Sequence, residues 1–116
     1  MDMEWKVEES IRPIIVYFKG SFEETDSSFL RETIKEKLDE ENKTDLIVNL
    51  SKLEYLNSTS LNVFVQVYSE CLKSGVKIMF SDLSPSVKNL FKMTSLDVIV
   101  PVYRDNDEAM RRNYRM

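Results

Sequence analysis

Residues 45–80 read DLIVNLSKLEYLNSTSLNVFVQVYSECLKSGVKIMF, and this stretch decides the fold. Asp45 to Leu50 is a short, nearly continuous apolar run, the pattern of a strand covered on both faces. From Ser58 to Ser74, the spacing puts Leu61, Phe64, Val65, Tyr68 and Leu72 on one face of a helix. Lys73-Ser74-Gly75 is a helix-ending signal, because glycine adopts the left-handed conformation without a Cβ penalty. Val76 to Phe80 then reads as a second strand. Strand, helix and strand joined in so few residues predict a crossover between parallel strands.

Working outward, the same alternation continues. Ile11 to Lys19 is rich in β-branched and aromatic residues and stops at Gly20, with Pro13 suiting an edge or entry position. Trp5 to Glu9 is a fainter strand before it. Asp26 to Glu40 predicts a helix capped by Asp26 or Thr25, with Phe29, Leu30, Thr33, Ile34 and Leu38 facing inward. Ser84 to Lys92 predicts another, with Ser84 as cap, Pro85 at the first helical position and Val87, Leu90 and Phe91 inward. Val98 to Val102 reads as a last strand ending near Pro101, and a final helix starts at Asn106. The expected fold class is α/β: one domain with a mixed sheet of four or five strands and helices packed against it. Its core spans about 11–110 and a basic tail 111–116.

The chain has 116 residues, a length that suits one domain, and its composition excludes several function classes. It contains no histidine and a single cysteine, Cys71, which excludes Ser-His-Asp and Cys-His nucleophiles, a His-ligated metal and an internal disulfide. The two glycines, Gly20 and Gly75, leave no glycine-rich phosphate loop. A net charge of −4 argues against nucleic-acid binding. No apolar run reaches membrane-spanning length, and the acidic start MDMEWKVEES does not resemble an export signal. With one thiol, these features predict a cytoplasmic protein that needs no cofactor or metal.

The polar segment between the Asp45 to Leu50 strand and the Ser58 to Ser74 helix stands out, since α/β sheets build sites beyond the carboxyl ends of their strands. Asn57-Ser58-Thr59-Ser60-Leu61 places three hydroxyls where backbone N–H groups lack partners and the helix dipole is positive. Two readings stay open. In one, Asn57 or Ser58 caps the helix, worth about 1 kcal/mol. In the other, a serine there accepts a phosphate of about −1.5 to −2 charge that changes what the surface binds.

From Asp45 to Met110 the chain resembles the STAS domain family, the anti-sigma factor antagonists. The family pattern is a strand ending in Asp-Leu-Ser, an Asp-Ser-(Ser or Thr)-Gly-Leu signature opening a helix, a Gly-bearing turn into a strand, a short helix, a strand and a trailing Glu-Ala. The resemblance implies that Asn57 to Leu61 is the signature and Ser58 the phosphoacceptor. It implies partners too: an anti-sigma factor of the GHKL serine kinase type, bound by the unphosphorylated form, and a metal-dependent serine phosphatase that resets the switch. Asn57, Ser58, Thr59, Ser60 and Leu61 are then partner-binding, together with Glu23 and Glu24 on the loop after the first long strand. Such a protein is a substrate of enzymes, not an enzyme. Three positions depart from the family pattern: Asn57 replaces an acid, Ser60 a glycine and Asn49 the strand-end Asp. The alternative is a non-phosphorylated STAS subunit of a larger assembly, stressosome-type or lipid-transport, that binds constitutively.

Outside the signature, Val63 and Val67 widen the apolar surface of the long helix and read either as core or as a partner groove. Cys71 reads as a small buried hydrophobe. Glu23, Glu24 and Asp26 otherwise read as a solvated loop, and Arg111, Arg112 and Arg115 as a solvated tail or an interaction arm.

Overall fold

The computed structural model describes residues 2–6 and 13–114. Among the described residues six strands form one mixed sheet: β1 (Asp2–Lys6), β2 (Ile14–Ser21), β3 (Asp45–Asn49), β4 (Leu53–Tyr55), β5 (Lys77–Ser81) and β6 (Val102–Tyr103). The order is β1-β2-β3-β5-β6, with β4 paired to the far end of β2. β1 runs antiparallel to β2, and all other pairs are parallel. The helices are α1 (Ser27–Glu41), α2 (Ser58–Lys73), α3 (Pro85–Met93), α4 (Leu96–Ile99) and α5 (Asn106–Asn113).

The sheet is covered on both faces, as the apolar run of β3 implies. Ile14, Val16 and Phe18 of β2 alternate with Ile15, and the two sets enter different cores. The larger core joins the first set to Leu46, Val48, Ile78 and Phe80 and to the buried faces of α1, α2 and α3. The smaller joins Ile15, Ile47 and Met79 to Ala109 and Met110 of α5. Tyr114, just after α5, donates its hydroxyl hydrogen to Asp45 and so ties the end of that helix to the start of β3. Arg111 and Arg112 are exposed, whereas Arg115 and Met116 lie outside the described residues, as do Ile11, Arg12 and Val7 to Glu9 of the expected first strands.

Several expectations need correction. Gly20 does not stop β2. Its φ of +79° lets the strand bend where pairing passes from β3 to β4, and the strand runs on to Ser21. Pro13 immediately precedes β2, so it marks an entry, not an edge. The expected strand Val98 to Val102 is mostly absent: Leu96–Ile99 is a helical turn, Val98 is 84% exposed, and only Val102–Tyr103 pairs with β5. Pro101 has no N–H to extend a ladder, although its carbonyl accepts from the Phe80 N–H at 3.0 Å. β4 is additional; it carries one buried residue, Leu53, too little to show as a periodic pattern.

In α1 the inward stripe is Leu30, Ile34 and Leu38, at strict i, i+4 spacing, while Phe29 is 53% exposed. In α2, Leu72 is likewise exposed, but Val63, Val67 and Cys71 are buried beside Leu61 and Phe64. Val63 and Val67 are therefore core residues, although Val67 also lines an open cavity between α1 and α2. The Cys71 thiol is pushed up to about 11 by burial and by the neighbouring Glu70 charge, so it stays neutral. Among the described residues no helix is long and apolar enough to cross a membrane.

Val67→Asp places a carboxylate among buried apolar side chains and should abolish cooperative unfolding in a urea titration followed by circular dichroism. A variant that keeps the wild-type midpoint would show Val67 to be dispensable to the core.

Candidate functional site

Beyond β3 the chain folds back onto the sheet. The Leu50 N–H donates to the Ser81 carbonyl at 2.9 Å, a turn closes at Leu53, and β4 docks on the extension of β2. Here the Gly20 N–H donates to the Lys52 carbonyl at 3.2 Å, and the Phe22 N–H to the Tyr55 carbonyl at 3.0 Å. The start of α2 is thus fixed from the strand side, with no free loop before it.

Asn57 is the cap. Its backbone is extended (φ −107°, ψ 175°), and its Oδ1 accepts from the Ser60 N–H at 2.7 Å. The Asn57 amide also donates to the Tyr55 hydroxyl at 3.3 Å, which holds the ring beside the helix end. Because Asn57 does the capping, Ser58 is left as an exposed residue at the first helical position, followed by exposed Thr59. Ser60 and Leu61 turn inward and are buried. The side chains at the surface are therefore Asn57, Ser58 and Thr59, with Ser60 and Leu61 beneath them. Among the described residues the Ser60 hydroxyl oxygen has no hydrogen-bond partner, a consequence of having a side chain where the resembled pattern has glycine.

The structure brings the acidic turn to the same end of α2. Phe22 is fully buried and stacks on Phe64 of α2 with ring centroids 4.6 Å apart, which pins the next residues against the helix. A short 3-10 turn, Glu24–Asp26, follows and packs against α2. Asp26 does not cap α1; its carboxylate accepts from the Glu23 N–H at 2.9 Å and closes this turn. Glu23 and Glu24 remain exposed.

A polar network that the sequence alone does not reveal ties the end of β3 to its neighbours. Asn49, buried at the end of β3, donates from one amide nitrogen to Asp82 at 2.8 Å and to Asn106 at 3.0 Å, while its oxygen accepts from the Ser51 N–H at 2.9 Å. Ser81 donates to Asn106 at 2.6 Å, and the Asn106 amide donates to the Tyr17 hydroxyl at 3.0 Å. The network joins β2, β3, β5 and α5 and holds the turn at Ser51 that leads into β4. Asp82 has a positive φ of 55°, and burial holds its carboxyl above the usual range, opposed by the Asn49 hydrogen bond. The sequence signal was a polar Asn at the end of an otherwise apolar run.

The STAS domain model matches residues 3–109. The chain belongs to the STAS domain family. An anti-sigma F factor antagonist of Paenibacillus polymyxa is 24% identical to this STAS domain over 110 residues, covering 95% of this chain and 94% of that protein. Among solved structures, a putative anti-sigma factor antagonist from Thermotoga maritima superposes with a TM-score of 0.74 at 22% identity, covering 95% of this chain and 92% of that one. The antagonist SpoIIAA in its unphosphorylated form gives 0.70 at 15% identity, covering 96% and 95%. The phosphorylated form of SpoIIAA, a Bacillus cell fate determinant, gives 0.65 at 14% identity, covering 96% and 98%. At these identities the structures establish the fold.

Asn49→Asp tests the network. It replaces the amide donor at 2.8 Å from Asp82 with a second carboxylate, so one of the two must hold a proton or the pair repels. The shared acid then has a folded-state pKa above its unfolded value of about 4. Its destabilisation should be small below about pH 4 and grow as pH rises, reaching about 3 kcal/mol near pH 7. Chemical denaturation of both proteins across this range measures the difference; a deficit independent of pH would contradict the pairing.

Proposed function

We propose that this STAS domain is an anti-sigma factor antagonist switched by phosphorylation of Ser58. The observation that carries the proposal is the division of roles at the start of α2: Asn57 satisfies the helix end, and Ser58 is exposed at its first position. The relative's name, anti-sigma F factor antagonist, and the two solved forms of SpoIIAA, unphosphorylated and phosphorylated, support the reading. In this scheme the unmodified Asn57–Thr59 surface, with Glu23 and Glu24 beside it, binds an anti-sigma factor of the GHKL serine kinase type in the cytoplasm.

The chemistry is done to this chain by its partners. The kinase transfers the γ-phosphoryl group of ATP to the Ser58 oxygen: an O–P bond forms, the hydroxyl proton is released and ADP leaves. A metal-dependent serine phosphatase resets the switch by adding water across that bond. At the first turn of α2 the helix dipole tolerates the phosphate, so the helix persists while the surface charge changes. The phosphate joins a surface that already carries Glu23 and Glu24, and docking a partner over it requires dehydrating a dianion.

The protein isolated from the cells that make it should carry phosphate on Ser58 in part of the population, read by tandem mass spectrometry. Ser58→Asp should lose a kinase-type partner that co-purifies with the wild type. Absence of phosphate at Ser58 in every growth phase would remove the switch.

A further inference from the structure

Between the C-terminal halves of α1 and α2 lies an open cavity of about 450 Å³, within the size range of small-molecule clefts. It stands at the opposite end of α2 from Ser58. Its floor is apolar. Ile34 and Leu38, one turn apart on α1, line it with Val67 and Cys71, one turn apart on α2. At one end Arg31 spans the two helices, donating to the Glu70 carboxylate at 2.8 Å and to the Gln66 side-chain oxygen at 3.1 Å. The charges above the floor are sorted. α1 carries five acids and three bases, yet Asp39 is the one acid of that helix that lines the cavity, against two bases, Arg31 and Lys35. Lys43, just beyond α1, adds a third base, and the remaining acid, Glu70, is already paired with Arg31. Lys35 is exposed and forms no salt bridge among the described residues. In a chain of net charge −4, the rim of this cavity is thus positive.

We propose that this cavity binds a free medium-chain carboxylate, with the alkyl chain on the floor of Ile34, Leu38, Val67 and Cys71 and the carboxylate at Lys35 and Lys43. The chain supplies the affinity, since each methylene removed from water is worth roughly fourfold. An exposed ion pair adds little affinity, so the lysines act by orienting the ligand and selecting its charge. The helix ends at this site are C-terminal, and their carbonyls carry partial negative charge. That disfavours a phosphate dianion, which would also find no helix N–H groups here, whereas a monoanion with an apolar body suits both rim and floor.

The probe is sodium decanoate, kept below its micelle-forming concentration and titrated into the full chain under backbone amide NMR. Saturable shifts should appear among residues 31–44 and 67–76, with 54–62 unchanged. Octanoate, two methylenes shorter, should bind roughly tenfold more weakly, and inorganic phosphate should leave these amides unmoved. Lys35→Glu, at an exposed position, should keep the wild-type circular dichroism and bind decanoate severalfold more weakly at low salt, the loss narrowing as salt rises. Lys37→Glu makes the same charge change on the same helix but does not line the cavity, and should bind within twofold of wild type. Shifts that never saturate or spread over the whole chain would overturn the proposal. So would equal weakening by the two variants, or decyltrimethylammonium binding as tightly as decanoate.

Discussion

The stack of Phe22 on Phe64 is the contact on which the candidate functional end of this molecule depends. Phe64 belongs to α2 and Phe22 to the chain leaving β2, so their rings, 4.6 Å apart, lock the acidic turn to the helix that carries Ser58. The contact continues through Phe18 on one side and Phe80 and Phe91 on the other, with centroid separations of 5.9 to 6.1 Å. A row of five phenylalanines thus crosses from the β2 side of the sheet to α3. It fixes the base of the turn, of α2 and of α3 together.

On that base the signature residues divide their work. Asn57 closes the helix end, Ser58 and Thr59 face outward, and Ser60 and Leu61 enter the core. The substitution of Asn for an acid at position 57 keeps the cap, because the amide oxygen accepts the Ser60 N–H as a carboxylate would, but it removes a negative charge from beside Ser58. Asn49 shows the same exchange at the end of β3. There the amide can donate to Asp82, which a carboxylate in its place could not do without holding a proton. Both asparagines preserve geometry while lowering local charge.

The sequence was most legible where period and length agree. Asp45 to Phe80 reads directly as strand, helix and strand because β3 is apolar on both faces and α2 carries its core residues at helical spacing. Prediction failed where a few contacts override composition. Val98 to Val102 is β-branched, but its residues form a helical turn whose side chains Val98 and Ile99 face solvent, and β6 is only two residues long. Phe29 and Leu72 are apolar residues at the margins of their helical stripes, and the packing leaves them exposed. The Asn49, Ser81, Asp82 and Asn106 network could not be read from spacing, since it joins residues brought together only by the sheet. For the site, Ser58 and its neighbours were legible as a helix start. The inward turn of Ser60 required the structure.

In the proposed switch, phosphate on Ser58 alters a surface and leaves the fold intact. It is tested most directly by comparing backbone amide NMR spectra of the unmodified chain with those of the chain carrying phosphoserine at position 58. Shifts should be confined to residues around 22–26 and 54–62, with the buried amides of β3 and β5 and the far turns of α2 unchanged. Shifts spread through those strands, or loss of the α2 resonances, would show that phosphate acts by remodelling the core and would contradict it.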